Sequence, residues 1–300
     1  MKPRIVRFLL LFPFICSLTF APSRAQQSAD RPLLLIRCDD IGMCHDVNMA
    51  IERVLASGLL VSTSVMFACP WYQEGVEILK KYPGTSVGIH LMLNAEWKNY
   101  RWGPVLGATA VPSLVDSLGY FFPSRASLLA NDPTTEDVER ELRAQIERAV
   151  SSGLKIDYLD HHMGAAVEKE EWRGVVEALA KEYGLGISQY FGEAYSNGTY
   201  FAKGEKKTDT LVQTVMGFEP GVLNLQVVHI GLDNPEMAAL EDLNPFGPKN
   251  MSKERNGELN ALLSERFRKA ISEKNVRLVT YRDVIRERGL VSMKRPERTR

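Results

Sequence analysis

Leu33-Leu34-Leu35-Ile36-Arg37-Cys38-Asp39-Asp40-Ile41-Gly42 is an apolar run, broken only by Arg37, that ends in two carboxylates and a glycine. Without polar alternation it reads as a strand covered on both faces, as in a parallel sheet. Adjacent carboxylates point to opposite faces of a regular strand. Asp39 and Asp40 therefore reach one site only where the backbone turns, and Gly42 permits such a turn. Two readings of the pair stay open. With a metal present, one carboxylate ligates while its neighbour takes a proton from water. Alternatively, the pair is a turn or helix-capping aspartate with a solvated neighbour.

Six further runs have the same character: Val61–Ala68, Ser86–His90, Ile156–Asp160, Leu185–Ser188, Val222–His229 and Val276–Thr280. Between them lie amphipathic patterns. Val47–Ser57 stops at Gly58, and Thr134–Ser151 opens on threonine and two acids, with apolar residues at spacings of four. Glu168–Tyr183 and Ser252–Lys274 are similar. Strand–helix alternation predicts an α/β domain, barrel-like or doubly wound. Two insertions, Asn94–Pro133 and Tyr190–Gly221, follow strands and are rich in aromatic residues, Gly and Pro. In a barrel such loops overhang the catalytic face and shape specificity.

The chain has 300 residues, 45% hydrophobic and 25% charged, which suits one globular domain. Its 37 basic and 37 acidic residues argue against nucleic-acid binding through a general basic field. Residues 1–25 read as a signal peptide: Lys2, Arg4 and Arg7, then an apolar stretch from Phe8 to Ala21, then the small-x-small site Ser23-Arg24-Ala25. The stretch is short for a span and holds Pro13, so no stable membrane insertion is expected after cleavage. Residues 26–300 are expected to form a single, mildly acidic domain that is secreted or periplasmic. Cys38, Cys44 and Cys69 remain in it, allowing at most one internal disulfide, and no Cys-x-x-Cys pair supports a thiolate zinc site.

Four of the five histidines, His90, His161, His162 and His229, stand at the C-terminal ends of expected strands, as do Asp39 and Asp40. Four strands thus deliver ionisable groups to one rim, where parallel barrels build active sites. Asp160 and His162 are two apart and share a face while the chain stays extended, with His161 pointing away. A carboxylate beside a histidine fixes its tautomer and orientation. One carboxylate and two imidazoles suit a borderline divalent ion, with a position open for water. A second aspartate as base and another histidine as acid complete a kit for metal-assisted hydrolysis of an amide or ester.

The motifs Asp39-Asp40-Ile41-Gly42, Val47-Asn48-x-Ala50-Ile51, Gly88-Ile89-His90-Leu91, Leu159-Asp160-x-His162, His229-Ile230-Gly231 and Thr280-Tyr281-Arg282-Asp283 together resemble the YdjC-like carbohydrate deacetylases. That group contains chito-oligosaccharide deacetylase, and the resemblance runs from Leu33 to Ile285. It implies a distorted, seven-stranded (β/α), TIM-barrel-like fold that removes acetyl groups from N-acetylated sugars or oligosaccharides, using one divalent metal ion, zinc or magnesium. It further implies Asp40, His90 and His162 as metal ligands, Asp39 as the base that activates water, and His229 as the acid that protonates the amine. Asp160 and Arg282 would support them. The chain departs from the pattern at Gly164, where many members have a further histidine, and at His161, which replaces a small hydroxyl residue.

In Glu96-Trp97-Lys98-Asn99-Tyr100-Arg101-Trp102, Trp97 and Trp102 either stack on sugar rings or anchor a long loop. Two rivals to the deacetylase reading remain. A phosphoesterase on the same rim would recruit a second metal and basic groups that the sequence does not show. A non-catalytic carbohydrate-binding protein would leave Asp39 and His229 without work. Homo-oligomer formation is left open by the sequence.

Overall fold

The computed structural model describes residues 31–245 and 247–296. The signal peptide expected at residues 1–25 lies outside them. Among the described residues, eight strands form one sheet: β1 (Leu33–Ile41), β2 (Ser62–Val65), β3 (Ser86–Leu91), β4 (Ile156–His161), β5 (Gly186–Ile187), β6 (Ala194–Ser196), β7 (Leu223–Val228) and β8 (Arg277–Val279). The order is β5-β4-β3-β2-β1-β7-β6, with β8 against the start of β1, and every pairing is parallel. The ends of this path, β5 and β6, are consecutive in the chain. The curled (β/α) barrel is therefore open at a seam bridged by residues 188–193.

All seven expected strands are present. The eighth, β6, lies within the second insertion and is largely exposed, so it carries no apolar run to betray it. The helices of eight or more described residues are α1 (His45–Ala56), α2 (Tyr72–Lys81), α3 (Thr135–Ser151), α4 (Glu170–Tyr183), α5 (Lys207–Met216), α6 (Met251–Leu263), α7 (Glu265–Glu273) and α8 (Tyr281–Arg288). The Thr134 hydroxyl caps α3 by accepting from the Asp137 amide. The single helix expected over Ser252–Lys274 is two. Ser264 adopts extended backbone and its hydroxyl accepts from the Phe267 amide, ending α6 and starting α7.

The alternation along β1 explains how this fold makes a site. Leu33 and Leu35 pack inside the barrel with Leu223, Leu225, Tyr158 and Tyr281, in a cluster separate from the one beneath the outer helices. Arg37 and Asp39 continue the same inward row. The barrel is thus plugged with apolar groups at one end and lined with charge at the other. Gly88 on β3 permits part of the plug, because a Cβ there would stand 2.3 Å from the Tyr158 ring. Among the described residues, no helix is long and apolar enough to cross a membrane.

Candidate active site

Both aspartates do reach one site, and the turn that brings them there begins two residues earlier than expected, at Asp40 rather than Gly42. Asp40 itself has a left-handed backbone, φ 72°, and the register of β1 against β2 shifts between Cys38 and Ile41. Such a conformation is costly for a residue with a Cβ and is found where a site requires it. Gly42, φ 95°, completes the turn, and its amide donates to Asn48 Oδ1 at 2.7 Å.

Asp40, His90 and His162 converge. Asp40 Oδ1 lies 3.5 Å from His90 Nε2 and 3.7 Å from His162 Nδ1, and the two ring nitrogens are 3.2 Å apart. All three side chains are buried. Each partner's other atoms are already engaged. His90 Nδ1 meets Asp160 Oδ2 at 2.7 Å, a consequence of His90 and Asp160 standing directly opposite in the β3–β4 register. His162 Nε2 meets Glu96 Oε2 at 2.9 Å. The Arg255 guanidinium donates to Asp40 Oδ2 at 2.8 Å. Asp40 Oδ1 is left buried with no hydrogen-bond partner among the described residues. A buried orphan oxygen facing two imidazole nitrogens, each ring fixed from behind by a carboxylate, fits a divalent cation.

Asp39 sits beside this group, held by both oxygens: Arg37 Nε and Nη2 donate to it at 2.6 and 2.7 Å. The same guanidinium reaches Asp160 Oδ1 at 2.8 Å and Ser188 Oγ at 2.6 Å. His229 follows β7 on the inward row of Leu225 and Val227, and its Nε2 lies 3.8 Å from Asp39 Oδ2. The His229 amide donates to Glu258 Oε2 at 2.7 Å, and the Tyr200 ring packs edge-on against its imidazole. Lys207, buried, bonds the Thr199 and Tyr200 carbonyls and also pairs with Glu258.

The electrostatics follow from burial and these neighbours. Burial would raise the Asp40 carboxyl, but Arg255 and the surrounding imidazoles overcome it and hold Asp40 below the ordinary carboxylate range. Burial would lower His162, yet Glu96 and Asp40 push it up to about 9. His229 has no bonded carboxylate, and burial keeps it below its usual value. Glu258 is raised to about 7 by burial, against the pull of Lys207.

Several expectations need correction. Arg282 is not in the site. It bonds Asp157 and the Pro83 and Thr85 carbonyls at the opposite end of the strands, because α8 begins directly after β8 on that side. Its supporting place is taken by Arg37. Asp160 orients His90 rather than His162, since cross-strand register outweighs proximity in sequence. His161 borders the cleft instead of pointing away from it. Trp97 and Trp102 are 1% and 3% exposed and offer no free ring face. Trp97 edges the cleft beside Arg255, and Trp102 packs edge-on to His162 while its indole N–H bonds the Asn94 carbonyl. They anchor the loop that carries Glu96. Among the described residues, Cys38, Cys44 and Cys69 are buried and form no disulfide with one another.

Arg37, Glu96, Arg255, Glu258 and Lys207 were missed by sequence reasoning. Only Arg37 carried a signal, as a charge inside a buried strand that must find partners.

Asp39, Asp40, His90, His162 and His229 line a cleft of about 300 Å³ at the C-terminal ends of the strands, with Arg37, Glu96 and Arg255 beside them. An open parallel barrel with a carboxylate–imidazole cluster at that rim has the layout of a barrel hydrolase. The chain belongs to the YdjC-like protein family, whose model matches residues 33–273. It is 27% identical over 267 residues to a carbohydrate deacetylase of Brevibacillus brevis, covering 84% of this chain and 99% of that one. A carbohydrate deacetylase of Thermus thermophilus is 36% identical over 155 residues, 52% of each chain. The fold is also that of a protein described as a cellobiose-phosphate cleavage protein from Enterococcus faecalis V583. The TM-score is 0.70 at 24% identity, covering 84% of this chain and 98% of that one.

Proposed function

We propose that the protein is an exported, metal-dependent hydrolase that removes acetyl groups from N-acetylated sugars or oligosaccharides. The observation that carries this reading is the convergence of Asp40 Oδ1, His90 Nε2 and His162 Nδ1 within 3.7 Å of one another, beside Asp39 and His229. The carbohydrate deacetylases among its relatives support the substrate class. Export rests on the sequence of residues 1–25.

A zinc or magnesium ion held by Asp40, His90 and His162 would polarise the acetyl carbonyl and lower the pKa of water. The protein's own groups do the rest. Asp160 and Glu96 hold the outer nitrogens of His90 and His162, which aims the inner nitrogen of each ring at the centre. Arg37 grips both oxygens of Asp39 and prevents its rotation away from the centre. Asp39 takes a proton from water as the oxygen adds to the acetyl carbon. The C–N bond then breaks, His229 gives a proton to the nitrogen, and acetate and the free amino sugar leave. Asp39 lies 3.8 Å from His229 Nε2, so the proton it takes from water can pass to that ring and on to the nitrogen.

A two-metal phosphoesterase is disfavoured by Arg37. The second convergent group, Asp39, His90 and Asp160, already has that guanidinium between its carboxylates. Acetate release from N-acetylglucosamine, short chitin oligomers and O-acetylated sugars, each with and without chelator, tests the proposal. Chelator-sensitive release from the N-acetylated compounds is expected. Release from none, by a protein shown to hold metal, would refute the substrate class and turn attention to phosphoesters.

A further inference from the structure

A second cleft, of about 700 Å³, adjoins the first. The two share Gln189 and Tyr195 as lining residues, so they meet along the seam between β5 and β6 where the barrel is open. The wall between them is firmly built. Glu193 accepts from the Gln189 and Phe191 amides at 2.9 and 2.7 Å, Arg288 bonds the Phe191 carbonyl, and the Lys294 amide bonds the Tyr190 carbonyl. Gln189 is held at φ 69° by this arrangement.

Two well-exposed aromatic rings lie here, whereas the tryptophans of the first insertion, Trp97 and Trp102, are buried. Tyr195 is 48% exposed and stands at the junction, and Phe201, 73% exposed, flanks the first cleft. Exposed rings beside a polar groove present an apolar face to a ligand whose faces are apolar and whose edges carry hydroxyls, which describes a pyranose. The first cleft is at the small end of the range for ligand pockets, roughly 300–1,000 Å³. It accommodates the reacting sugar but little of a chain attached to it.

We propose that the second cleft is a binding site for further sugars of the same substrate, and that an oligosaccharide runs from the metal-ligand cluster across Tyr195 towards Lys294. This inference rests on the deacetylase reading and sharpens it: the substrate is a chain longer than a disaccharide. Tyr195 is a specificity-determining residue, with its ring as the platform at the crossing.

Two measurements on residues 26–300 test it. The first is kcat/KM for acetate release across N-acetylglucosamine, its dimer and its trimer to hexamer. The second is the affinity of the Asp39→Asn protein for the same series by calorimetry, which requires no turnover. Both should improve from dimer to tetramer. Tyr195→Ala should cost roughly tenfold on the tetramer, in line with the loss of one aromatic contact. Ser292→Trp, which places an indole in the second cleft, should remove the advantage of chain length in the same way. Acetate release with equal kcat/KM and affinity at every length would overturn the second site and leave the deacetylase reading standing. Length-dependent binding without acetate release would do the reverse.

Discussion

At the residue scale, the site depends on groups that face away from the substrate. Asp160 and Glu96 each hold the outer nitrogen of a ligand imidazole, at 2.7 and 2.9 Å. Losing either leaves a ring free to choose its tautomer, and such losses cost about 10–100-fold in metal affinity. Glu96→Ala should weaken zinc binding by that factor in competition titrations, with the fold unchanged by circular dichroism. Undiminished affinity would show that His162 needs no such partner. Asp39→Asn bears on the other half of the site. General-base catalysis is worth about 10²–10⁴-fold, so turnover should fall by that order while metal content stays at the wild-type level. Loss of the metal in that variant would mean that Asp39, not Asp40, is the ligand.

The element scale separates what the sequence displayed from what it concealed. Seven strands were legible because burial on both faces leaves unbroken apolar runs. The strand-end histidines and aspartates were legible as a group because parallel topology sends those ends to one rim. Arg282 was misread because its motif follows a strand, like the others. It opens α8 at the far end of the barrel, bonded to Asp157. Arg282→Ala should therefore lower stability by about 2 kcal/mol, the scale of a charged hydrogen-bonded group, and leave kcat/KM near wild type. A large loss of activity in a fully folded variant would restore it to the site. Gly88 is the complementary case. Its methyl-free Cα lets Tyr158 reach the Thr63 carbonyl and Ser64 hydroxyl. Gly88→Ala should destabilise by about 1–3 kcal/mol or more in denaturant titrations, as overpacking does.

At the scale of the whole molecule, contacts distant in sequence decided what no local pattern could show. Glu96 in the first insertion, Arg255 and Glu258 on α6, and Lys207 on α5 come to the rim only through packing, and nothing near them in the chain announces it. Glu258 also makes stability depend on pH. Its folded-state pKa of about 7 exceeds the ordinary value of 4.5, so between those limits the folded protein binds more protons than the unfolded chain. Its contribution therefore favours folding below about pH 4.5 and is lost as pH rises towards 7. Comparing unfolding free energies of wild type and Glu258→Gln at pH 5 and 7.5 should show a smaller pH dependence in the variant. An identical dependence would mean that Glu258 is charged across the range.

Metal content decides most directly between a metallohydrolase and a barrel that merely resembles one. Residues 26–300 would be loaded with zinc, passed through a desalting column and assayed for bound metal beside a His90→Ala/His162→Ala double variant. One equivalent in the wild type and almost none in the folded double variant is the expected result. A full equivalent retained by the double variant would place the ion elsewhere and contradict the site built from Asp40, His90 and His162.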